Sequence, residues 1–296
     1  MDWDKLRIFH AAAEAGSFTH AGDALHMSQS AVSRQVSALE RDLKVTLFHR
    51  HARGLVLTEQ GELLHRTTSD VINRLHTAET LLSDTTSKPS GELRITAPVG
   101  FGTMWLTPRL REFHDLYPEI RIELHLNDDQ LDIGMRAADV AIWTREPPQA
   151  DLIRRMLFTS RVRAFASTQY VRRFGAPKTL DELEGHSIVS YSGQPAQHLT
   201  AISWIETAGR DGRGPREPAF RANSVMALRI AIRAGIGIGM IPDYMTENEG
   251  DLVPVLTEIE PPTLPILFVY PEELKASKKV QVLRDFMVAQ ARQWKF

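Results

Sequence analysis

The sequence predicts a multidomain chain: an α-rich winged helix-turn-helix at the N-terminus, one long linker helix, and an α/β body of two lobes. Three observations carry this. Residues 1–58 read as three short helices followed by a glycine-containing hairpin. A heptad of apolar-leaning positions then runs to a polar stretch bearing Pro89 and Gly91. Beyond it, strands and helices alternate to the C-terminus. With 296 residues the chain also exceeds what one small core serves, so two or three folding units are expected from size alone.

Each element has a local reason. In "DKLRIFHAAAEA" (4–15) apolar side chains recur at Leu6, Phe9, Ala13 and at Ile8, Ala12, the spacing of an amphipathic helix, and Gly16 stops it. Ser17 or Thr19 caps a shorter helix ending near Leu25, with Ala21, Ala24 and Leu25 inward. Ser28 is the N-cap of a third helix to about Leu43, whose inward positions are Ala31 or Val32, Val36, Leu39 and Leu43. "VTLFHRHARGLVLT" then alternates around Gly54, as a two-stranded wing does.

Thr58 caps the long helix. Its seam is Leu64, Thr68, Val71, Leu75, Ala78 and Leu82, spaced alternately four and three apart. That spacing suits a two-stranded coiled coil or antiparallel helix pair, but it also fits a helix docked on its own domain. "SDTTSKPSGE" (83–92) ends it and is the linker. The body follows. "ELRITAPV", "IRIELHL", "ADVAIW", "RVRAFAS", "HSIVSY", "IGIGMIP" and "PILFVYP" read as strands. "TMWLTPRLREFHDLY", residues near 130–137, "SVMALRIAIRAG" and a C-terminal stretch from about Ser277 to Trp294 read as helices. Alternation of this kind predicts a parallel sheet.

Composition narrows the function class. Hydrophobic residues make up 43% and charged residues 24%, as in water-soluble globular proteins, and no run of about 18 apolar residues is present to cross a membrane. "MDWDKLRIFHAAAEAG" is acidic and helical rather than a basic, apolar leader, so the expected location is cytoplasmic. With no cysteine, disulfides, thiolate metal sites and thiol redox chemistry are excluded within this chain. The net charge of −2 is not that of a typical nucleic-acid binder, but its distribution is uneven. From Arg34 to Arg53 the bases Arg34, Arg41, Lys44, Arg50 and Arg53 face only Glu40 and Asp42, with His49 and His51 alongside. A small basic patch on a near-neutral chain suits a binder whose affinity is raised by pairing two heads.

The third helix carries the chemistry. A recognition helix presents short polar side chains at its N-terminal end while its far side packs on the domain. Ser28, Gln29, Ser30, Ser33 and Arg34 do so, with Thr19 at the head of the preceding helix joining the set. Gln29 can pair bidentately with adenine, Arg34 with guanine or a phosphate, and the serine hydroxyls with phosphate oxygens. The first-turn amides favour a phosphate as well. Arg50 and Arg53 on the wing are placed at phosphates or the minor groove. Read alone, "SQS" is a cap on a solvated face. Two preceding helices, a tight turn and a basic wing weigh against that reading.

Other signals fail. "GIGIG" (235–239) and "GFGTMW" lack the glycine spacing of a nucleotide loop. His49 and His51 on the wing have no convergent ligands, so no metal is expected. No Ser–His–Asp order or nucleophile elbow can be defended, which leaves an enzyme without a catalytic constellation. A solute-binding protein would explain a two-lobed body but would need a leader and no N-terminal head.

These residues resemble the N-terminal domain of LysR-type transcriptional regulators: "GSFTHAGDALHMSQSAVSRQVSALE", "LFHR" and "LTEQG" occur in order. "GELRI", "LTPRLREFHDLYPEIRIEL", "ADVAIW" and "AGIGIGMIP" resemble that family's effector-binding domain, so the likeness covers nearly the whole chain. Lys44 departs from it, standing where the family usually has glycine before the wing. The resemblance implies a DNA-binding head at 1–58 and a linker and dimerisation helix with hinge at 59–90. It also implies a periplasmic-binding-protein-like body at 91–296. Lobe I is expected at about 91–165 and 265–296, lobe II at about 166–264, with hinges near Ala166–Ser167 and Pro262–Pro265. It implies double-stranded DNA, further copies of the chain as homodimer or homotetramer, and RNA polymerase as partners, with no membrane and no cofactor. A small-molecule effector of unstated chemistry is expected between the lobes.

Ligands of open α/β sheets sit at strand carboxyl ends against helix N-termini. Here those places are "PVGFGT", "NDD", "YSGQ" and "ANSV", which match the family's ligand-contacting segments. The candidate effector residues are therefore Gly100, Phe101, Thr103, Asp128, Asp129, Ser192, Asn223 and Ser224. Thr103, Asn223 and Ser224 can equally serve as helix caps, and Asp128 and Asp129 can face an amine or cap the helix that follows.

Overall fold

The computed structural model describes residues 2–51, 54–83, 88–128, 138–146, 151–193, 197–246 and 250–294. They form two compact units, Met1–Glu79 and Thr80–Phe296.

In the first unit, α1 (Trp3–Ala15) buries Ile8, Phe9 and Ala12 and ends at Gly16, whose φ of 58° is left-handed. Ser17 caps α2 (Phe18–Leu25), its Oγ accepting the Thr19 N–H at 3.2 Å, so the cap is Ser17 and not Thr19. Ser28 caps α3 (Gln29–Leu43) in the same way, accepting from the Ala31 N–H at 3.2 Å. A Cβ on Gly22 would stand 2.6 Å from the Met27 carbonyl oxygen, so the turn between α2 and α3 closes at a distance only glycine allows. Val32, Val36 and Leu39 are buried against Ile8, Phe9, Phe18, Ala21, Leu47 and Phe48. Ala24 is exposed rather than inward, because α2 turns Phe18, Ala21 and Gly22 to the core.

The wing is the hairpin β1 (Phe48–His51) and β2 (Gly54–Leu57), antiparallel with Phe48 opposite Leu57. Thr58 begins α4 (Glu59–Ser83): its Oγ1 accepts the Gly61 N–H at 3.0 Å and donates to the Thr46 carbonyl at 2.7 Å. The heptad seam divides. Leu64 packs on the head core and Thr68 is buried, whereas Val71, Leu75 and Leu82 are 41%, 48% and 71% exposed and Ala78 is exposed too. One turn docks on its own domain and the rest stays available. Residues 84–87 of the expected linker lie outside the described residues.

The second unit runs β3 (Gly91–Ala97), α5 (Val99–Phe101), a wide π-turn (Gly102–Leu106), α6 (Thr107–Leu116), β4 (Ile120–Leu126), β5 (Val140–Trp143) and β6 (Leu152–Ser167). It continues with α7 (Thr168–Phe174), β7 (Ile188–Tyr191), β8 (Phe220–Ala222), α8 (Val225–Arg233), β9 (Ile238–Pro242), β10 (Leu252–Pro254), β11 (Thr263–Pro271) and α9 (Lys278–Gln293). The strand order is β4-β3-β5-β11-β6-β9-β7-β8, with β10 on β6. The expected parallel sheet is thus corrected to a mixed one. β4-β3-β5 and β9-β7-β8 are parallel, but they are joined through the antiparallel pair β6 and β11. Sequence alternation cannot see that the chain passes between its halves on two long opposed strands instead of by a helical crossover.

β6 pairs with β11 up to Arg161 and with β9 from Val162, and at the switch the Val162 N–H donates to the Pro262 carbonyl at 2.8 Å. The expected hinge at Ala166–Ser167 lies further along, where both residues are laddered to β10 and the Ser167 hydroxyl caps α7. β8 and β10, at three residues each, are too short for alternation to reveal. The helix expected near 130–137 falls outside the described residues. A buried ion pair ties α9 to the sheet: Lys279 Nζ lies 3.3 Å from Asp139 Oδ2, which also accepts the Arg94 N–H at 2.9 Å. Among the described residues no helix is long and apolar enough to cross a membrane.

Lys44 closes α3 in the left-handed region at φ 57°, where a Cβ is strained and glycine is not. Lys44→Gly is expected to raise stability by about 0.5–1 kcal/mol and Lys44→Val to lower it by about 1 kcal/mol. Urea midpoints followed by circular dichroism check both signs.

Candidate nucleic-acid interface and effector cavity

The capped start of α3 gathers the expected DNA-facing side chains on one exposed end. Ser28, Gln29, Ser30 and Arg34 are exposed, Ser33 is half-buried, and Thr19 is exposed at the head of α2. The Ser28 and Ser30 hydroxyls lie 3.1 Å apart. With α3 beginning at Gln29, its first-turn N–H groups and the positive end of its dipole open toward the same side, where an anionic oxygen is favoured.

Arg50 is held rather than free. Its Nη2 donates to Ser37 Oγ at 2.9 Å and pairs with Glu40 Oε2 at 3.2 Å, while Nη1 reaches Ser33 Oγ at 3.5 Å. Its guanidinium carbon stands 5.2 Å from the centre of the Phe18 ring. The side chain is still 45% exposed, so a phosphate can approach it. Arg53 lies outside the described residues. Glu40, which charge counting registers only as a counterweight, is the organising group. Its Oε1 accepts the Leu47 N–H at 2.9 Å and the Phe48 N–H at 3.4 Å, while Oε2 holds Arg50. One carboxylate therefore joins the recognition helix to the wing. An acid within an otherwise basic run was the signal that could have found it.

The second unit contains a narrow pocket where its two half-sheets meet. Gly100, Asp128 and Thr144 line it from the β3–β5 half, Val225, Pro242 and Tyr244 from the β7–β9 half, and Val162 and Leu264 from the crossing strands. A Cβ on Gly100 would come within 3.0 Å of Val225 Cγ1, so glycine there lets the two sides approach. Asp128 Oδ1 accepts the Val99 N–H at 3.0 Å. Thr144 is buried and its Oγ1 has no hydrogen-bond partner among the described residues. Burial, with Asp128 and Asp243 nearby, pushes the Tyr244 phenol well above its ordinary range and keeps it a donor.

Of the effector residues expected from sequence, Gly100 and Asp128 meet in this cavity. Phe101 is fully buried in an aromatic cluster, 5.0 Å from Trp105 and 5.6 Å from Tyr244 between ring centres, and lies outside the lining. Thr103 is exposed on the π-turn. Ser192 donates its N–H to the Ala222 carbonyl, the Asn223 carbonyl accepts from the Tyr191 hydroxyl at 2.9 Å, and Ser224 caps α8. Asp129 and Gln194 lie outside the described residues. Thr144 and Tyr244 went unnoticed in sequence although Thr144 directly follows β5 and Tyr244 lies two residues past the end of β9, the place where ligands of such sheets are sought.

The chain matches two family descriptions, "Bacterial regulatory helix-turn-helix protein, lysR family" over residues 3–62 and "LysR substrate binding domain" over residues 86–292. An HTH-type transcriptional regulator of Xanthomonas campestris is 33% identical over 97% of this chain and 85% of its own length. The structure of CrgA, a LysR-type transcriptional regulator from Neisseria meningitidis, superposes with a TM-score of 0.59 at 30% identity, covering 98% of this chain and 99% of that one. The Vibrio cholerae virulence activator AphB, full length, does so with a TM-score of 0.64 at 26% identity over the same shares.

Removing the Glu40 carboxylate leaves the two part-buried N–H groups of Leu47 and Phe48 without their acceptor. Glu40→Ala is expected to destabilise the head by about 2 kcal/mol, whereas Arg50→Ala, whose ion pair and hydroxyl contacts are half-exposed, costs about 0–1 kcal/mol. Urea unfolding of the two variants checks the order.

Proposed function

The chain belongs to the LysR family of DNA-binding transcriptional regulators, and from that premise we propose that its paired heads bind an imperfect dyad at a promoter as a dimer of dimers. The observation that carries this is the capped, exposed cluster of Gln29, Ser30 and Arg34 at the head of α3, backed by a wing tied to the same helix. Pairing is supported by the exposed row Val71, Leu75, Ala78 and Leu82 on α4, whose heptad spacing fits a second helix. Residues 1–58 then act as the DNA head, 59–90 as the dimerisation helix and hinge, and 91–296 as the effector body. The two lobes meet at the β6–β11 crossing. Acting on promoter DNA, such a protein works in the cytoplasm and meets RNA polymerase there.

Gln29, Ser33 and Arg34 read base edges in this scheme, Ser28, Ser30 and Thr19 hold phosphates, and Arg50 and Arg53 meet phosphates or the minor groove. Fluorescence anisotropy on a labelled duplex of the chain's own upstream region, beside a scrambled duplex, tests it. Gln29→Ala and Arg34→Ala are each expected to weaken specific binding by about 1–3 kcal/mol, roughly 5- to 150-fold, while binding to the scrambled duplex changes less. Equal affinity of wild type for both duplexes would defeat the reading.

The effector follows from the cavity. Its described walls are largely apolar, and among the described residues that line it the polar side chains are one carboxylate and two hydroxyls, with no cationic side chain. A small neutral or cationic molecule that hydrogen-bonds Thr144 fits it, and an anion beside Asp128 does not. Binding would bias the lobes only by its difference in affinity for their two arrangements. In a thermal-shift series of benzylamine, benzyl alcohol and benzoate, the first two should raise Tm and benzoate should not. Thr144→Val, which removes a buried hydroxyl with no partner among the described residues, should leave the free protein as stable or more so and weaken those two ligands by about 1 kcal/mol or more.

A further inference from the structure

Three donor side chains converge where α1 meets α4. His10 and Glu14 lie four residues apart on α1 and share a face, and His65 reaches them from α4. His65 Nε2 stands 2.8 Å from Glu14 Oε1, and the two imidazole rings are 5.0 Å apart between centres. One donor atom from each of the three falls within 4.8 Å of the other two. His10 Nε2 also lies 3.2 Å from Ser69 Oγ, whose hydroxyl donates to the His65 carbonyl at 2.8 Å. Neither helix is free to drift: the Thr58 cap fixes the start of α4, and burial of Leu64 and Thr68 holds its next turns on the head.

A simple ion pair would need one histidine and one carboxylate. A second imidazole packed against the first adds nothing to that pair and repels it when both rings are charged. Two nitrogens and one carboxylate oxygen within a few ångströms of one another are the donor set of a borderline divalent transition metal, with water free to complete the sphere. The half-buried histidines and exposed Glu14 leave a path for an ion to enter. We propose that His10, Glu14 and His65 bind one divalent ion of the zinc class, which pins α4 to α1. The separation of His65 from the other two along the chain is why no sequence motif reveals the site.

The test uses the full chain stripped with chelator and titrated with Zn²⁺ alone by calorimetry, with Co²⁺ absorption as a spectroscopic readout of nitrogen ligation. One ion per chain is expected, with a rise in Tm. Glu14→Gln keeps the size of the side chain, and His10→Asn removes a single ring. Each should weaken binding about tenfold or more while circular dichroism is unchanged. A His49→Asn, His51→Asn variant of the wing should bind as wild type does. Absence of saturable binding, or equal binding by the His10→Asn, His65→Asn double variant, would overturn the proposal and leave the His65–Glu14 contact as an ion pair only.

Discussion

The Glu40 carboxylate accepts two backbone N–H groups of the chain entering the wing and pairs with Arg50 upon it, so the third helix and the hairpin behave as one piece. Everything the head offers to DNA depends on that. Gln29, Ser30 and Arg34 are useful only if their helix holds a fixed angle, because a base edge is recognised within a few tenths of an ångström. The apolar face of α3, through Val32, Val36 and Leu39, fixes the helix on the head, and Glu40 fixes the wing on the helix. Both are set before any DNA arrives, so less ordering remains to be done on binding.

A comparable constraint shapes the body. Two long antiparallel strands, β6 and β11, are the route by which the chain passes between half-sheets, and the ladder partner of β6 changes at Arg161–Val162. A cavity lies beside that change, with Thr144 and Asp128 on one side and Tyr244 on the other. A molecule seated there would lie between residues of both halves, which is the geometry the proposed effector needs to bias their arrangement.

Much of this was legible in the sequence where local physics decides the outcome. Ser17, Ser28 and Thr58 cap their helices as their positions suggest, and the 3.6-residue spacing placed Phe9, Val36 and Leu39 in the core. What stayed hidden depends on partners distant along the chain. The role of Glu40 comes from backbone groups beyond the end of its own helix, and Phe101 looks like cleft lining until Trp105, Phe158 and Tyr244 enclose it. The first half of β6, "LIRRMLFTS", carries the adjacent Arg154 and Arg155 followed by Met156, all exposed, and so does not alternate as a strand should. Thr144 and Tyr244 were within reach of the strand-end rule that found Gly100 and Asp128, and only their ordinary residue types concealed them.

The central claim is that two heads each insert the N-terminus of α3 into a major groove of one dyad. Hydroxyl-radical footprinting of the purified protein on its own upstream region tests it most directly. Two protected half-sites related by two-fold symmetry are expected, with major-groove contacts centred one helical turn, or a whole number of turns, apart. Protection that spreads evenly along the duplex without sequence preference, or a single unpaired protected site, would contradict it.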